Sequence, residues 1–315
     1  MRRLSLAALA GAAAVGLSGC LAGDIPYATL ETRYASPASR YTDLPGGLRV
    51  HYRDEGPRDA ARTLVLIHGF SASVHAWEPW VERLSNEYRI VTLDLPGHGL
   101  TRAPNDYVAS TSANVGIVDE LTRRLGLTRF VVGGNSMGGG VAWNYALAHP
   151  DRLDGLVLVG SAGWPDAERS REGSPLVFRL LANPAGRALL RNVDPGLFAE
   201  KGLKQAYLDE SLVTDAVVGR YVDLARAPGH RAILTRDRAP APQVTPQTFA
   251  AIRTPTLVMT GEQDALIPAA HSRGLAGAIA GAKLIVYPDG GHVPMEQLPD
   301  RSAADLRAFL AALPG

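Results

Sequence analysis

Cysteine is nearly absent from this chain. Cys20 is the single one in 315 residues, so no disulfide can close within the chain. No Cys/His pair has metal-ligand spacing either, and nothing in the sequence calls for a metal or an organic cofactor. An excess of one charge is also missing. Thirty-two basic residues face 31 acidic ones, a net charge of +1, which argues against nucleic acid or any strongly charged partner. Internal repeats and long low-complexity tracts are absent. Aromatic residues are sparse at 6%, whereas apolar residues reach an ordinary 46%. At this length the balance suits one large α/β domain carrying an insertion.

The longest apolar run lies at the N-terminus. Met1-Arg2-Arg3 is basic, Leu4 to Leu17 is apolar and rich in alanine, and Ser18-Gly19-Cys20 follows. The run is short for a transmembrane helix. A basic start, a short apolar stretch and small residues at its end read as a secretory signal. Residues 24–45 contain Pro26, Pro37 and Pro45 among Ser, Thr and Ala, and read as a tether, with Leu30 to Tyr34 as a possible short helix.

From there on, apolar runs alternate with helical patterns. Leu48, Val50 and Tyr52 alternate with Arg49, His51 and Arg53, which predicts a half-exposed edge strand. Thr63–Ile67, Arg89–Leu93, Arg129–Val132 and Asp154–Gly160 are apolar runs of buried, parallel strands. Between them, Ala113–Leu125 carries Ile117, Val118, Leu121 and Leu125 at helical spacing, and Gly126 stops it. Two more strands, Thr256–Thr260 and Lys283–Tyr287, precede a closing helix at about Arg301–Leu313. This rhythm implies a mostly parallel sheet with right-handed crossovers.

The stretch that organises the chain is Gly133-Gly134-Asn135-Ser136-Met137-Gly138-Gly139, between a strand and the helix-like run Val141–Ala148. It contains G-x-S-x-G. A serine on so sharp a turn has a strained backbone, and its neighbours must be almost free of side chains. The following helix aims its N-terminus at the serine, which favours negative charge developing there.

His68-Gly69-Phe70, Asp94-Leu95-Pro96-Gly97-His98-Gly99 and Gly134-Asn135-Ser136-Met137-Gly138-Gly139 fall in order at strand ends. Together they resemble the α/β-hydrolase fold, over about residues 46–313. The resemblance implies one oxyanion donor at the backbone N–H of Met137, after the serine, and a second at Phe70, after His-Gly. Gly69 lets that backbone approach. His68 braces the loop, and Asp94 and His98 shape a loop behind the serine. Serine, acid, histidine is the chain order of this fold, which points to Ser136, Asp264 and His292. Asp264 fits the family pattern G-x-x-D; Glu262 and Asp166 are rival acids. A serine hydroxyl needs an imidazole in reach, and the imidazole needs a carboxylate to fix its tautomer.

The stretch 161–248 interrupts the strand–helix rhythm and resembles the helical cap of many family members. Its helix-like segments are Leu176–Leu190, Leu203–Val213 and Ala216–Ala225. Trp164, Phe178, Leu181, Phe198 and Tyr207 are candidates for either substrate wall or cap core. Arg169, Arg171, Arg179, Arg187 and Arg191 read as a solvated face, with a lipid-headgroup contact as the alternative. Leu17-Ser18-Gly19-Cys20 resembles the bacterial lipobox. That resemblance implies cleavage before Cys20, acylation of its sulfur and a cell-envelope location. Leu21 in place of aspartate leans toward an outer membrane.

The expected organisation is a signal at 1–19, lipid anchor and tether at 20–45, core at 46–160 and 249–315, and cap at 161–248. The expected activity is hydrolysis of carboxylic esters or lipids through an acyl-enzyme, similar to a group of bacterial lipases and esterases. The alternatives are a C–C bond hydrolase of the meta-cleavage type and a hydrolase-fold binding protein without turnover. The former shares Gly-Asn-Ser-Met-Gly-Gly but usually carries an aromatic where Val293 stands. Oligomeric state is not legible.

Overall fold

The computed structural model describes residues 22–165, 176–236 and 243–314. Cys20, Asp166, Arg169 and Arg171 lie outside the described residues. Eight strands form one sheet: β1 (Ser39–Leu44), β2 (Leu48–Glu55), β3 (Thr63–Ile67), β4 (Arg89–Leu93), β5 (Phe130–Asn135), β6 (Leu153–Val159), β7 (Thr256–Gly261) and β8 (Lys283–Tyr287). Their order is β1-β2-β4-β3-β5-β6-β7-β8. The β1–β2 and β2–β4 pairs are antiparallel; every other pair is parallel.

The apolar runs are buried on both faces because the sheet is covered on both. Alternate residues of one strand enter opposite cores. Val65 and Ile67 of β3 join Val132 and Leu158 on one face. That face packs on α3 (Thr111–Arg124) and α4 (Met137–Ala148) through Ile117, Leu121, Val141 and Tyr145. Leu64 and Leu66 join Val131 and Val157 on the other face. There Trp80 and Leu84 of α2 (Glu78–Leu84) meet Leu306 and Leu310 of α13 (Pro299–Ala311). Trp80 donates its indole N–H to Ser302, so its polar end is satisfied inside the core.

Two expectations at the N-terminal side are corrected. Residues 27–44, expected within a tether, form α1 (Tyr27–Tyr34) and the strand β1 at the sheet edge. The segment β2, expected at the edge, therefore lies inside the sheet. Its polar residues His51 and Arg53 are buried with partners. His51 Nδ1 donates to Asp94 (2.7 Å) while Nε2 meets Ser39 Oγ (2.8 Å), and Arg53 pairs with Glu78 (2.7 Å).

Between β6 and β7 the described chain is helical: α5 (Leu176–Leu181), α6 (Pro184–Asn192), α7 (Gly196–Ala206), α8 (Asp215–Ala225), α9 (His230–Leu234) and α10 (Pro246–Ala250). Pro184 divides the first expected segment, as its missing N–H and fixed φ demand. Helices α5 to α9 roof the serine. Phe249 of α10 instead packs on Trp143 in the core. Next come α11 (Ala269–Ala278) and α12 (Pro294–Gln297). Among the described residues no helix is long and apolar enough to cross a membrane.

Candidate active site

Ser136 sits between the end of β5 and the start of α4 with φ +54° and ψ −116°. Among the described non-glycine residues only Ser136 and Ser71 have positive φ. That conformation costs energy and persists only where the surroundings enforce it. Here they do. Ser136 N–H donates to Val159 O, and Ser136 O accepts from Gly140 and Ala162 N–H, all within 3.1 Å. The motif glycines are required by contact. A Cβ on Gly134 would lie 2.2 Å from the Gly138 carbonyl, and one on Gly138 would lie 2.0 Å from Ile67 O.

His292 follows β8 and Asp264 follows β7. His292 Nδ1 donates to Asp264 Oδ2 at 2.7 Å. The other carboxylate oxygen accepts Leu266 and Ile267 N–H, each at 2.8 Å. An ionised carboxylate only accepts, so Nδ1 carries a proton, and in the neutral imidazole that leaves the lone pair on Nε2. Gly160 makes room for this pair: a Cβ there would be 3.2 Å from both His292 Nδ1 and Asp264 Oδ2.

Ser136 and His292 border one cavity of about 230 Å³, together with Gly69 and Phe70. A Cβ on Gly69 would approach the Ser136 Cβ to 3.3 Å, so the His-Gly loop runs directly past the serine. Met137 is the first residue of α4, and a first-turn N–H has no partner within its helix. The remaining wall is mostly apolar and comes largely from the roof, with Phe178, Leu181 and Phe198 prominent. Of the five wall candidates, Trp164 is not in the wall; it stacks near Phe249 (5.7 Å) at the base of the insertion.

The rival acid Glu262 pairs with Arg273 at the surface (2.5 Å), away from His292. Asp166 lies outside the described residues. His68 is fully buried, gives its Nδ1 proton to Gly69 O (2.7 Å) and accepts Leu95 N–H at Nε2 (3.1 Å). Burial holds it neutral, with a pKa below the ordinary histidine value. Asp94 accepts Val74 and Leu100 N–H and His51. Burial would raise its carboxyl, but His51 and these hydrogen bonds hold it well below the carboxylate range. Both residues brace loops, as expected.

Some contacts were not anticipated. Asn135 Nδ2 donates to Val159 O and His292 O, each at 3.1 Å, tying the serine turn to the histidine loop. His292 N–H donates to Ala206 O in the roof (2.8 Å). Tyr207, next in sequence, lines the cavity and donates its hydroxyl to Glu296 (2.6 Å). Burial raises the Glu296 carboxyl to about 7, against the lowering effects of Tyr207 and Arg220. Asn135 lies inside the serine motif and could have been questioned there; a main-chain carbonyl leaves no trace in sequence. Among the described residues no cluster of three or more His, Cys, Asp or Glu side chains could hold a metal ion.

The chain is similar to several known proteins. A 2-hydroxymuconate semialdehyde hydrolase of Pseudomonas sp. is 31% identical over 85% of this chain and 92% of its own. The dihydrolipoyllysine-residue acetyltransferase component of the acetoin cleaving system of Cupriavidus necator is also 31% identical, over 85% of this chain and 68% of its own. Among solved structures, a thermophilic esterase from Thermogutta terrifontis superposes with a TM-score of 0.71 at 28% identity, covering 87% of this chain and 98% of the esterase. An esterase, a lipase and a 2-hydroxymuconate semialdehyde hydrolase all occur among the homologues, and fold and homologues together support a hydrolase. The match to a family described as alpha/beta hydrolase fold extends over residues 62–298, well over half of the sequence, and the chain belongs to that family.

Proposed function

We propose that this protein is a serine hydrolase of carboxylic esters. The observation that carries the reading is Ser136, held on a strained turn in the same apolar cavity as a histidine whose Nδ1 is bound by a buried aspartate. Ser136 Oγ attacks the ester carbonyl carbon as His292 Nε2 takes its proton. The N–H groups of Met137 and Phe70 hold the resulting oxyanion, the first at the helix N-terminus. The intermediate collapses to an acyl-enzyme, and the alcohol leaves with the proton from His292. Water then attacks the acyl carbon, His292 takes its proton, and the acid leaves as Ser136 Oγ regains it. Asp264 fixes the tautomer and stabilises the imidazolium.

The second reading is hydrolysis of a C–C bond next to a ketone, favoured by the 31% identical semialdehyde hydrolase. Val293 after the histidine and the apolar cavity wall favour the ester. An anchor at Cys20 and a place in the cell envelope belong to the same proposal, since extracellular esters suit them.

A p-nitrophenyl ester series from short to long acyl chains tests it. Ser136→Ala is expected to lower turnover by at least about 10⁴-fold while circular dichroism stays unchanged. Turnover near the parent's would end the nucleophile assignment. Absence of any Ser136-dependent ester turnover would move the C–C reading ahead.

A further inference from the structure

We propose that the hairpin of α5 and α6 docks on an anionic lipid bilayer and that the ester is drawn from that bilayer. The second clause rests on the ester reading above. The first rests on the hairpin and, for its third argument, on the Cys20 anchor proposed above.

The hairpin has two apolar faces. Val177, Phe178, Leu181 and Leu190 face the cavity. Their sequence neighbours Leu176 and Leu189 face outward and are 54% and 49% exposed. Adjacent residues of a helix point about 100° apart, so one helix serves both sides. Leu197 at the start of α7 is 58% exposed. Six large apolar residues are conspicuously exposed among those described, and these are three of them. The wall between cavity and exterior is therefore one helix thick and apolar on both sides.

Charge selects the occupant. Residues 176–192 contain the exposed Arg179 and Arg191, a half-buried Arg187 that donates to Leu181 O, and no acidic residue, while Leu197 lies between Asp194 and Glu200. Exposed leucines beside arginines fit the interface of an anionic bilayer, where alkyl groups enter the acyl boundary and guanidinium groups meet phosphates. A second copy of this hairpin would bring like charges together.

The course of the chain supplies the third argument. Asp24 accepts Arg231 Nη2 (2.8 Å), Ile25 N–H donates to Arg226 O (2.8 Å), and Arg226 Nε donates to Gly23 O (3.0 Å). Arg231 and Thr235 belong to α9 and its C-cap, and Thr235 Oγ1 accepts Arg191 of α6 (3.2 Å). Residues 23–25 thus lie against α9, which in turn touches α6. Cys20 lies four residues before Asp24, at most about 14 Å of extended chain. An acyl anchor at Cys20, itself part of the proposal above, would hold the bilayer on the side of the molecule where the hairpin stands.

The test is a depth measurement on the full chain. A fluorophore is placed at Leu189→Cys or Leu176→Cys, with the label at Leu284→Cys on strand β8 as reference and the parent chain as background. Vesicles of phosphatidylglycerol and phosphatidylcholine carry a quencher on their acyl chains. Strong quenching at 176 and 189, little at 284, and less on pure phosphatidylcholine is the expected result. Equal quenching at all three positions, or none at 176 and 189, overturns docking. A concentration-dependent shift of the 189 label without vesicles, and no quenching with them, would assign the face to a second copy instead.

Turnover tests the second clause separately. The double variant Leu176→Asp, Leu189→Asp should lose at least tenfold in hydrolysis of a long-chain ester embedded in vesicles, and less than twofold on a soluble short ester. Equal rates on both overturn it. Absence of turnover on either ester in the parent retires the ester reading, while the quenching result on docking stands.

Discussion

Glu296 is a residue the proposed chemistry does not use, four positions after His292. Its Oε2 accepts the Tyr207 hydroxyl, and its Oε1 is buried with no hydrogen-bond partner among the described residues. Tyr207, Tyr221 and Arg220 from the roof and Glu78 from α2 are the titratable groups that act on or around it. Burial raises its carboxyl from the ordinary 4.5 to about 7. The folded protein therefore holds this proton more tightly than the unfolded chain. The stability it confers is complete below pH 4.5 and is lost as the pH rises through about 7. Each tenfold difference in proton affinity is worth about 1.4 kcal/mol. Glu296→Gln keeps an acceptor for Tyr207 and removes the charge. Its melting temperature should fall less than the parent's between pH 5 and pH 8, and superimposable curves would disprove the assignment. At this scale the sequence was legible where residue type is itself the chemistry. Ser136, His292 and Asp264 carry groups that few other side chains offer, in a recognisable order. Glu296 was not legible, because its protonation depends on a roof that reaches it from ninety residues earlier in the chain.

At the scale of elements, the turn around Ser136 is fixed by what its glycines touch. Gly138→Ala drives a methyl into the Ile67 carbonyl, a backbone group that cannot step aside. The expected loss is about 3 kcal/mol or more, read as a lower urea midpoint. Gly140 lies one turn into α4, where a Cβ would meet only Ala162 O at 3.8 Å. Gly140→Ala should be neutral or should raise stability by up to about 1 kcal/mol through helix propensity. Equal effects from the two would contradict the contact argument. The central strands were readable as apolar runs because both sheet faces are covered. Strand β1, Ser39-Arg40-Tyr41-Thr42-Asp43-Leu44, was not, because only Leu44 is buried and the strand is held by its pairing with β2. Helix α1 was only partly readable. It buries Leu30 alone and has no side-chain N-cap, so neither stripe nor cap marks it strongly.

On the scale of the whole molecule, α1 ties the roof to the core. Tyr27 gives its hydroxyl to Thr101 O of the core loop and lies beside His230 of α9 (3.1 Å each). Arg33 and Tyr34 bind Asp223 of α8, and Glu31 binds Arg102 (2.6 Å). What was expected as a spacer is a clamp at its far end. With Cys20 acylated as proposed, few residues are left as slack between anchor and domain, and Cys20→Ser should lose the mass of the added acyl chains together with the anchor's share of membrane retention, leaving only what the hairpin supplies on anionic lipid. Retention without that mass change would remove the anchor from the proposal.

The register of β6 against β7, Leu156 to Thr256 and onward, joins strands separated by the entire helical insertion. To the sheet, that insertion is a loop whose closure must be met before the central strands can pair. Closure entropy grows only with the logarithm of length. A connection tenfold longer costs only about 2 kcal/mol more, by the same relation. The sheet and its serine turn are therefore nearly indifferent to how long the insertion is. A lineage could lengthen, trim or exchange the roof, and with it the range of substrates, at little cost to the fold beneath.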